Sequence, residues 1–286
     1  MRHFRFVTGI LFIACIATTL LSNTNYTYKA FTDPSGTKGT QGGRVSNVGE
    51  IVGRYLTASG SDGFLYKSGK FTTIAPPGAT KAVAADINNS GEIVGLYSVA
   101  SGPNIAFIYN GGKYTEIKSP SSTLNSITFL GINDSGVIVG GLRGSATGQG
   151  FIYTKGKFEY LIVPKATGTE ADGINNKGEV VGTYLDSSGK RHGFTYTSGK
   201  FTFIDVPGAT ETTVAGICYN FPVIVGAYKN SKGQTFGYVE NNGKFTTIEY
   251  PGAVLTDATG INDKGVIAGF FKSTTNSNYE GFTATP

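Results

Sequence analysis

Short runs of apolar residues, each ended by Gly, Asn or Asp, recur along the chain after residue 25. Many runs are apolar at successive positions, as at Ile93-Val94 and Ile138-Val139. A strand with one face in water would alternate apolar and polar residues, so continuous runs indicate strands that are buried on both faces. No helical period of 3.6 residues follows the first segment, and the pattern therefore predicts an all-β fold.

The apolar runs belong to a repeated unit. It reads Phe-Thr-x-Ile-x-x-Pro-Gly-Ala-Thr, then Gly-Ile-Asn-x-x-Gly-x-Ile-Val-Gly-x-Tyr, then Gly-Phe-x-Tyr-x-x-Gly-Lys. Its middle apolar residue recurs at intervals of 42 to 45 residues, at Val45, Ile87, Ile132, Ile174, Ile217 and Ile261. A period in the low forties with several strands per unit is typical of β-propellers. We therefore predict one domain, residues 23–286, with six repeats of about 43 residues that form a six-bladed β-propeller of four-stranded antiparallel blades.

Each repeat carries four strand-like runs joined by tight turns. In the second copy the runs are Val83–Asn88, Glu92–Tyr97, Ile105–Tyr109 and Tyr114–Ile117. Asn, Asp and Gly in the intervening turns supply the positive φ and the local caps that hairpins need. The Pro-Gly-Ala-Thr segments suit the crossing from the outer strand of one blade to the inner strand of the next. A glycine recurs inside the second strand, as at Gly95, and we expect it to permit a close approach of neighbouring sheets.

The two ends of the chain complement each other. The last repeat ends in a third strand, Glu280–Thr283, without a fourth behind it, and Tyr26–Phe31 reads as a strand that precedes the first repeat. We predict that this N-terminal strand pairs with the last blade and closes the ring. Closure would remove the exposed sheet edges that otherwise promote aggregation.

The first 22 residues have a basic start and a short apolar stretch from Phe6 to Leu21, which is typical of a secretory signal peptide. An alternative is a lipoprotein-type leader, because Phe12–Cys15 resembles a lipobox and would anchor the chain through Cys15. The net charge of +5 includes Arg2 and Arg5, so about +3 remains (5 minus 2) without the leader. One lysine per repeat, spread around a ring, does not form the basic face that nucleic acid requires.

The motifs that define the repeat, together with His192-Gly193-Phe194, resemble the HAF family of bacterial extracellular repeats, named for a His-Ala-Phe tripeptide. The resemblance covers nearly everything from Tyr28 to Thr283. The tripeptide itself is eroded, since Ile105-Ala106-Phe107 keeps only part of it and other copies mostly keep Gly-Phe. The resemblance implies secretion and a propeller-like fold, and it carries no activity or functional residues to transfer.

The sequence contains few residues that could be catalytic. The chain has two histidines, His3 in the leader and His192 in a predicted loop, which excludes a zinc site of several histidines and a histidine-based triad. Paired carboxylates would suit glycosidic chemistry, but Asp86, Glu170 and Asp172 show no distinguishing spacing. Cys218 lacks an activating neighbour, and each Asn-Asp turn offers at most one carboxylate, fewer than calcium usually takes. We therefore predict no catalytic residue, metal or cofactor.

Two sets of residues are candidates for ligand contact. Loops on one predicted face vary from copy to copy, and near them the second strands end in a ring of residues that could stack on sugars: Tyr55, Tyr97, Tyr184, Tyr228 and Phe271. The alternative is that these side chains pack between blades. Arg44 and Asp86 stand where the other copies have glycine, and we expect them either to form an ion pair at the channel wall or to present a polar ligand site.

These features favour a secreted or cell-surface, monomeric, non-catalytic binding module whose partner is an extracellular glycan or protein. A polysaccharide-active hydrolase or lyase is one alternative, and a purely structural surface protein is another, because the fold does not fix the function. A pocket lined by two or more carboxylates would favour the enzyme, whereas a shallow aromatic face would favour glycan binding.

Overall fold

A computed structural model describes residues 25–100, 102–144 and 148–286, and within them the chain forms 24 β-strands and no helix. The all-β prediction is confirmed. The predicted leader, residues 1–22, and Cys15 lie outside the described residues. In the described part of the chain, no helix has the length and apolar character needed to cross a bilayer.

The strands pair antiparallel in consecutive groups of four. The first two groups are β2 (Gly39–Val45), β3 (Ile51–Leu56), β4 (Ser61–Lys67), β5 (Lys70–Ile74), β6 (Lys81–Ile87), β7 (Ile93–Ser98), β8 (Ile105–Asn110) and β9 (Lys113–Ile117). The next two are β10 (Ser126–Ile132), β11 (Ile138–Arg143), β12 (Gln149–Thr154), β13 (Lys157–Leu161), β14 (Gly168–Ile174), β15 (Val180–Leu185), β16 (Arg191–Thr197) and β17 (Lys200–Ile204). The last strands are β18 (Glu211–Ile217), β19 (Val223–Lys229), β20 (Thr235–Asn241), β21 (Lys244–Ile248), β22 (Ala253–Ile261), β23 (Ile267–Ser273) and β24 (Tyr279–Thr285).

The four strands predicted for the second copy are confirmed as β6 to β9, each within two residues of the predicted bounds. The turns between them contain glycines in the left-handed region, with φ of +84° at Gly91 and +57° at Gly111. Hairpin turns of this kind favour glycine because it lacks a Cβ that would collide with the following carbonyl. Local turn chemistry therefore sets the strand boundaries.

The N-terminal strand β1 (Thr27–Phe31) pairs antiparallel with β24, in the register Thr27 to Thr285 through Phe31 to Gly281. It supplies the outermost strand of the last group, β22–β24, as the sequence predicts. Phe31 also reaches the first group, where its ring stacks on Tyr66 with a centroid separation of 5.6 Å. One strand thus binds the last repeat by backbone hydrogen bonds and the first repeat by aromatic packing.

The glycine within each second strand makes room for an aromatic ring of the third strand. A Cβ at Gly95 would lie 2.8 Å from Cζ of Phe107, the residue directly opposite it in the register. It would also collide with the carbonyl oxygen of Val83 on the first strand. The expected close approach of neighbouring sheets was therefore wrong, because the crowding is inside one sheet. The six pairs are Gly53–Phe64, Gly95–Phe107, Gly140–Phe151, Gly182–Phe194, Gly226–Tyr238 and Gly269–Phe282.

A buried asparagine at the end of the first strand joins one repeat to the next. The Oδ1 atom of Asn133 accepts the backbone N–H groups of Ser135 and Val137 within its own turn. Its Nδ2 atom donates to the carbonyl of Asn175 in the following repeat at 3.1 Å. Asn88 and Asn262 make the corresponding bonds. The Sγ of Cys218, which replaces this asparagine in the fifth repeat, donates to the carbonyl of Asn262.

The next polar residue of each turn extends the same connection. The backbone N–H of Asn89 donates to Oδ1 of Asp134 at 2.9 Å, and that of Asp134 donates to Oδ1 of Asn176 at 3.0 Å. Nδ2 of Asn176 donates to Oδ1 of Asn220. The series continues from Asn220 to Asp263, from Asp263 to Asn47 and from Asn47 to Asn89. The asparagines and aspartates of these turns therefore serve contacts between repeats.

Replacing Asn133 by alanine should lower the free energy of unfolding by about 2–4 kcal/mol, because one buried and two part-buried hydrogen bonds are lost at once. Urea unfolding followed by tyrosine fluorescence measures the change. Ser135→Ala is the matched control: it alters an exposed side chain of the same turn and should be nearly neutral. Equal stability of the two variants would show that the contact between repeats contributes little.

Removal of residues 23–32 should lower the melting temperature of the 23–286 protein by roughly 10 °C or more, since a paired strand and the Phe31 ring are both lost. Lys29→Ala, at an exposed position of the same strand, should leave the melting temperature unchanged. An unchanged melting temperature after truncation would contradict the role assigned to β1.

Candidate functional site

A bulge near the end of every first strand shapes the space that these strands surround. In β6 the register with β7 shifts between Ala84 and Asp86, and the other first strands shift at the equivalent place. A bulge breaks the period of two and turns adjacent side chains to the same side. Ala85 lines a large cavity and Asp86 borders a small one below it. We call the space that β2, β6, β10, β14, β18 and β22 line the channel.

The large cavity occupies one end of the channel and has a volume of about 640 Å³. This size lies in the range of small-molecule sites. Its opening is bordered by Arg143, Gly144 and Gly148, and by Thr167 and Arg191, which flank loops that differ between repeats. The cavity therefore opens on the variable face that the sequence singled out.

The other end of the channel is filled by side chains. The Arg44 guanidinium donates to the carbonyls of Thr259, at 2.8 Å, and Asp172, which belong to two other repeats. A Cβ at Gly216 would overlap Nη1 of Arg44. The hydroxyl of Tyr219 donates across the channel to the carbonyl of Ile87. These side chains leave a residual cavity of only about 10 Å³.

Asp86 and Arg44 both lie at this filled end but make no hydrogen bond to each other among the described contacts. The Asp86 carboxylate accepts the backbone N–H groups of Ile87 and Ile132, at 2.8 and 2.9 Å. Burial raises the pKa of Asp86 to about 6, partly offset by the Arg44 charge and by these two hydrogen bonds. Both residues therefore bind backbone groups and close the channel floor.

The predicted aromatic ring lies mostly outside the cavity. Tyr55, Tyr97 and Phe271 are buried, and Tyr184 and Tyr228 are half-buried. The Tyr97 hydroxyl donates to Oε1 of Glu116 at 2.5 Å, and Phe271 stacks on another ring at 3.6 Å. Only Tyr184 of the five borders the cavity. The Tyr97 contact lies within one repeat, so the alternative, packing between blades, describes these side chains only in part.

His192 lies in strand β16 and not in a loop, which corrects the sequence-based expectation. Its ring stacks on Tyr184 with a centroid separation of 5.2 Å. Nδ1 lies 2.9 Å from Oδ1 of Asp205, and Nε2 lies 3.4 Å from Oδ2 of Asp186. Of these four residues, Tyr184 lines the cavity, and His192, Asp186 and Asp205 do not.

Three carboxylates line the cavity: Glu170 and Asp172 on β14, and Asp257 on β22. Glu170 and Asp172 were considered on the sequence and set aside for want of a distinctive spacing, and Asp257 was missed. A signal was nevertheless present. Glu170 and Asp257 occupy the same repeat position, where the other copies have Gln41, Val83, Thr128 and Thr213, none of which is charged.

The carboxylates differ in their surroundings. Glu170 forms an ion pair with Arg143 at 2.5 Å near the opening. Burial and the neighbouring Glu170 charge raise the pKa of Asp172 well above its usual range, against the opposing effects of Arg44 and a hydrogen bond from Thr183. Burial alone raises the pKa of Asp257 to about 6, and no described residue donates a hydrogen bond to its carboxylate.

The Arg54 side chain also borders the cavity and has hydrogen-bond donors without a partner among the described residues. Nε of Arg54 donates to Oε1 of Gln41 at 2.6 Å, and its Nη atoms have no hydrogen bond among the described residues. Burial lowers the pKa of Arg54. Within the described residues, no group of three or more His, Cys, Asp and Glu side chains is placed to hold a metal ion. The cavity thus presents unpaired polar groups of both charges.

Replacing Asp257 by asparagine should stabilise the protein at pH 7.5 by about 1–3 kcal/mol, because the native carboxylate is ionised there without a partner. The pKa of Asp257 is higher in the folded protein than in the unfolded chain. Its carboxyl group therefore contributes to stability fully below pH 4, and this contribution is lost as the pH rises towards 6. The stabilisation should therefore vanish at pH 3.5. Thermal melts at pH 7.5 and pH 3.5 measure the stabilisation. Glu159→Gln, at an exposed position of β13, removes the same charge and is the control. Equal effects of the two variants would contradict the role assigned to burial of Asp257.

No protein-family model matches the sequence, and no curated protein matches it. Among solved structures, the chain is similar to virginiamycin B lyase from Staphylococcus aureus, with 12% identity over 92% of this chain and 100% of that one and a TM-score of 0.54. It is similar to the Aleuria aurantia lectin, with 10% identity over 90% of this chain and 98% of that one and a TM-score of 0.55. TolB from Acinetobacter baumannii has 10% identity over 82% of this chain and 63% of that one, with a TM-score of 0.61. At these identities the likeness shows the fold alone, which is all-β and propeller-like.

Proposed function

We propose that the protein is a six-bladed β-propeller, closed by β1, that acts outside the cytoplasm as a non-catalytic binding module for an extracellular glycan. The observation that carries the proposal is the 640 Å³ cavity on the variable face, whose lining includes Asp257 and Arg54 with unused hydrogen-bonding capacity. Both side chains are half-buried in the cavity wall, and a ligand in the cavity can form charge-assisted hydrogen bonds with them. The cavity therefore replaces the aromatic ring as the ligand site.

The contacts between first and last repeats support a closed ring of six blades. The backbone N–H of Asp263 in the last repeat donates to Oδ1 of Asn47 in the first, and Nδ2 of Asn262 donates to the carbonyl of Ser46. Strands β2 and β24 share a parallel bridge at Gly39 and Tyr279. Strand β1 completes the last group in the way that other groups are completed by their own fourth strand.

The chemistry of the cavity favours a glycan. Sugar hydroxyls both donate to carboxylates and accept from guanidinium groups, so one ligand type can pair with Asp257 and Arg54 together. The apolar side chains of Val83, Ala85 and Leu130 on the opposite wall offer a surface for the C–H face of a sugar ring. The Aleuria aurantia lectin, which shares the fold, is described in complex with a fucosylated disaccharide. A protein partner is the alternative.

A polysaccharide-active enzyme is the second candidate. Two neighbouring carboxyl groups, Glu170 and Asp172, face the cavity, and the pKa of Asp172 is raised by burial and by the Glu170 charge. A carboxyl group whose pKa is raised by burial and by a neighbouring carboxyl group is an arrangement that general acid–base chemistry uses. A lyase, virginiamycin B lyase, shares the fold.

The extracellular location follows from the signal-like residues 1–22 and from the resemblance of the repeats to the HAF type. With the leader removed, Cys218 is the remaining cysteine. It is buried, so the proposal needs no disulfide. A lipid anchor at Cys15 would keep the same protein at the cell surface.

The proposal is tested by titrating a panel of polysaccharides into purified residues 23–286 while the release of reducing sugar is followed in the same samples. We expect binding without release. Ala85→Leu, which adds volume to the cavity wall, should weaken binding about tenfold or more, and Glu159→Gln should leave it unchanged. Release of sugar would establish the enzyme instead. An absence of binding to every glycan would overturn the glycan proposal in favour of a protein partner.

A further inference from the structure

The charge distribution around the cavity identifies the kind of sugar that fits it. Two acidic strands, β14 with Glu170 and Asp172 and β22 with Asp257, flank β18. Between them β18 contributes Thr213, Val214 and Ala215, none of which is charged. This side of the channel is therefore an acidic recess with room at its centre.

The opposite side is apolar. Strands β6 and β10 contribute Val83, Ala85 and Leu130, and none of these side chains can form a hydrogen bond. A ligand that spans the channel must then be polar and cationic on one side and less polar on the other. A sugar ring with a substituent amine has this distribution, because its C–H face is apolar and its ammonium group projects from one edge.

Most of the arginines that line the cavity either have hydrogen-bond or ion-pair partners or lie at its opening. The charged groups that face it are Glu170, Asp172, Asp257, Arg44, Arg54, Arg143 and Arg191. Arg44 binds two carbonyls at the floor, Arg143 pairs with Glu170, and Arg191 is exposed at the opening. Arg54 alone has free donors inside the cavity, and Gln41 holds its Nε on the β2 side.

We infer that the channel receives a glycan unit with a free primary amine, an unacetylated amino sugar, whose ammonium group binds the Asp257 carboxylate in the cavity wall. The inference rests on the proposed glycan-binding function and gives its ligand class. Asp257 supplies a carboxylate that accepts no hydrogen bond from a described residue and borders the cavity, and an ammonium group can donate charge-assisted hydrogen bonds to it. Because the mature chain has a net positive charge, attraction of a cation must arise locally in this recess.

The test compares three oligosaccharides of equal length by calorimetric titration of residues 23–286 in 0.15 M salt: a glucosamine oligomer, its N-acetylated form and a glucose oligomer. We expect the glucosamine oligomer to bind at least about tenfold more tightly than the N-acetylated one. A difference of this size corresponds to one charge-assisted hydrogen bond. Asp257→Asn should abolish that preference while keeping weak binding of the neutral oligomers. Glu159→Gln should preserve it.

The outcomes separate the inference from the function on which it rests. If the N-acetylated oligomer binds as tightly and Ala85→Leu abolishes that binding, the glycan function stands and the amine inference is overturned. If no oligomer binds the unmodified protein, both are overturned. Tighter binding of an oligouronate that is lost on Arg54→Gln would overturn the inference in favour of an acidic sugar. Unfolding cannot imitate the expected result, because the Asp257→Asn substitution should stabilise the fold.

Discussion

A buried asparagine, present in the first turn of four of the six repeats, makes the contact on which the rest of the structure depends. A strand that is apolar on both faces cannot be stable alone, so each repeat must be covered by the next. The asparagine accepts hydrogen bonds of its own turn with Oδ1, and Asn88, Asn133 and Asn262 also bind the following repeat with Nδ2, whereas Nδ2 of Asn175 donates to Glu179. One side chain therefore fixes both the hairpin and the distance between repeats. In the fifth repeat Cys218 replaces the asparagine, and its Sγ donates to the carbonyl of Asn262 in the following repeat.

The close approach of the first strands has a consequence at the channel. At the filled end, four repeats have glycine where the first two have Arg44 and Asp86, and a Cβ at Gly216 would collide with the Arg44 guanidinium. Large polar side chains fit there only because their neighbours are glycines. The charged groups bind backbone carbonyls and N–H groups of other repeats, which satisfies them without a ligand. The floor is thus a structural element, and the open end above it is left as the cavity.

The open end is built differently from the floor. Asp257 has no hydrogen-bond donor among the described residues, and burial raises its pKa to about 6. An ionised group held in this way costs stability at neutral pH, and such costs concentrate at functional sites. Burial and the Glu170 charge also raise the pKa of Asp172 on the same wall. The contrast between a satisfied floor and an unsatisfied wall is what directs the functional proposals to one end of the channel.

The sequence by itself determined the strands, the turns, the repeat boundaries and the pairing of the N-terminal strand with the last repeat. These depend on local periodicity and on turn residues such as Asn88 and Gly91, which act over a few positions. Only the tertiary structure decided which side chains meet in the channel. Glu170, Asp172 and Asp257 are far apart in the chain, and a bulge in each first strand sets which of its residues face inward. Burial, and with it the chemistry of these carboxylates, arises only when the repeats surround a common space.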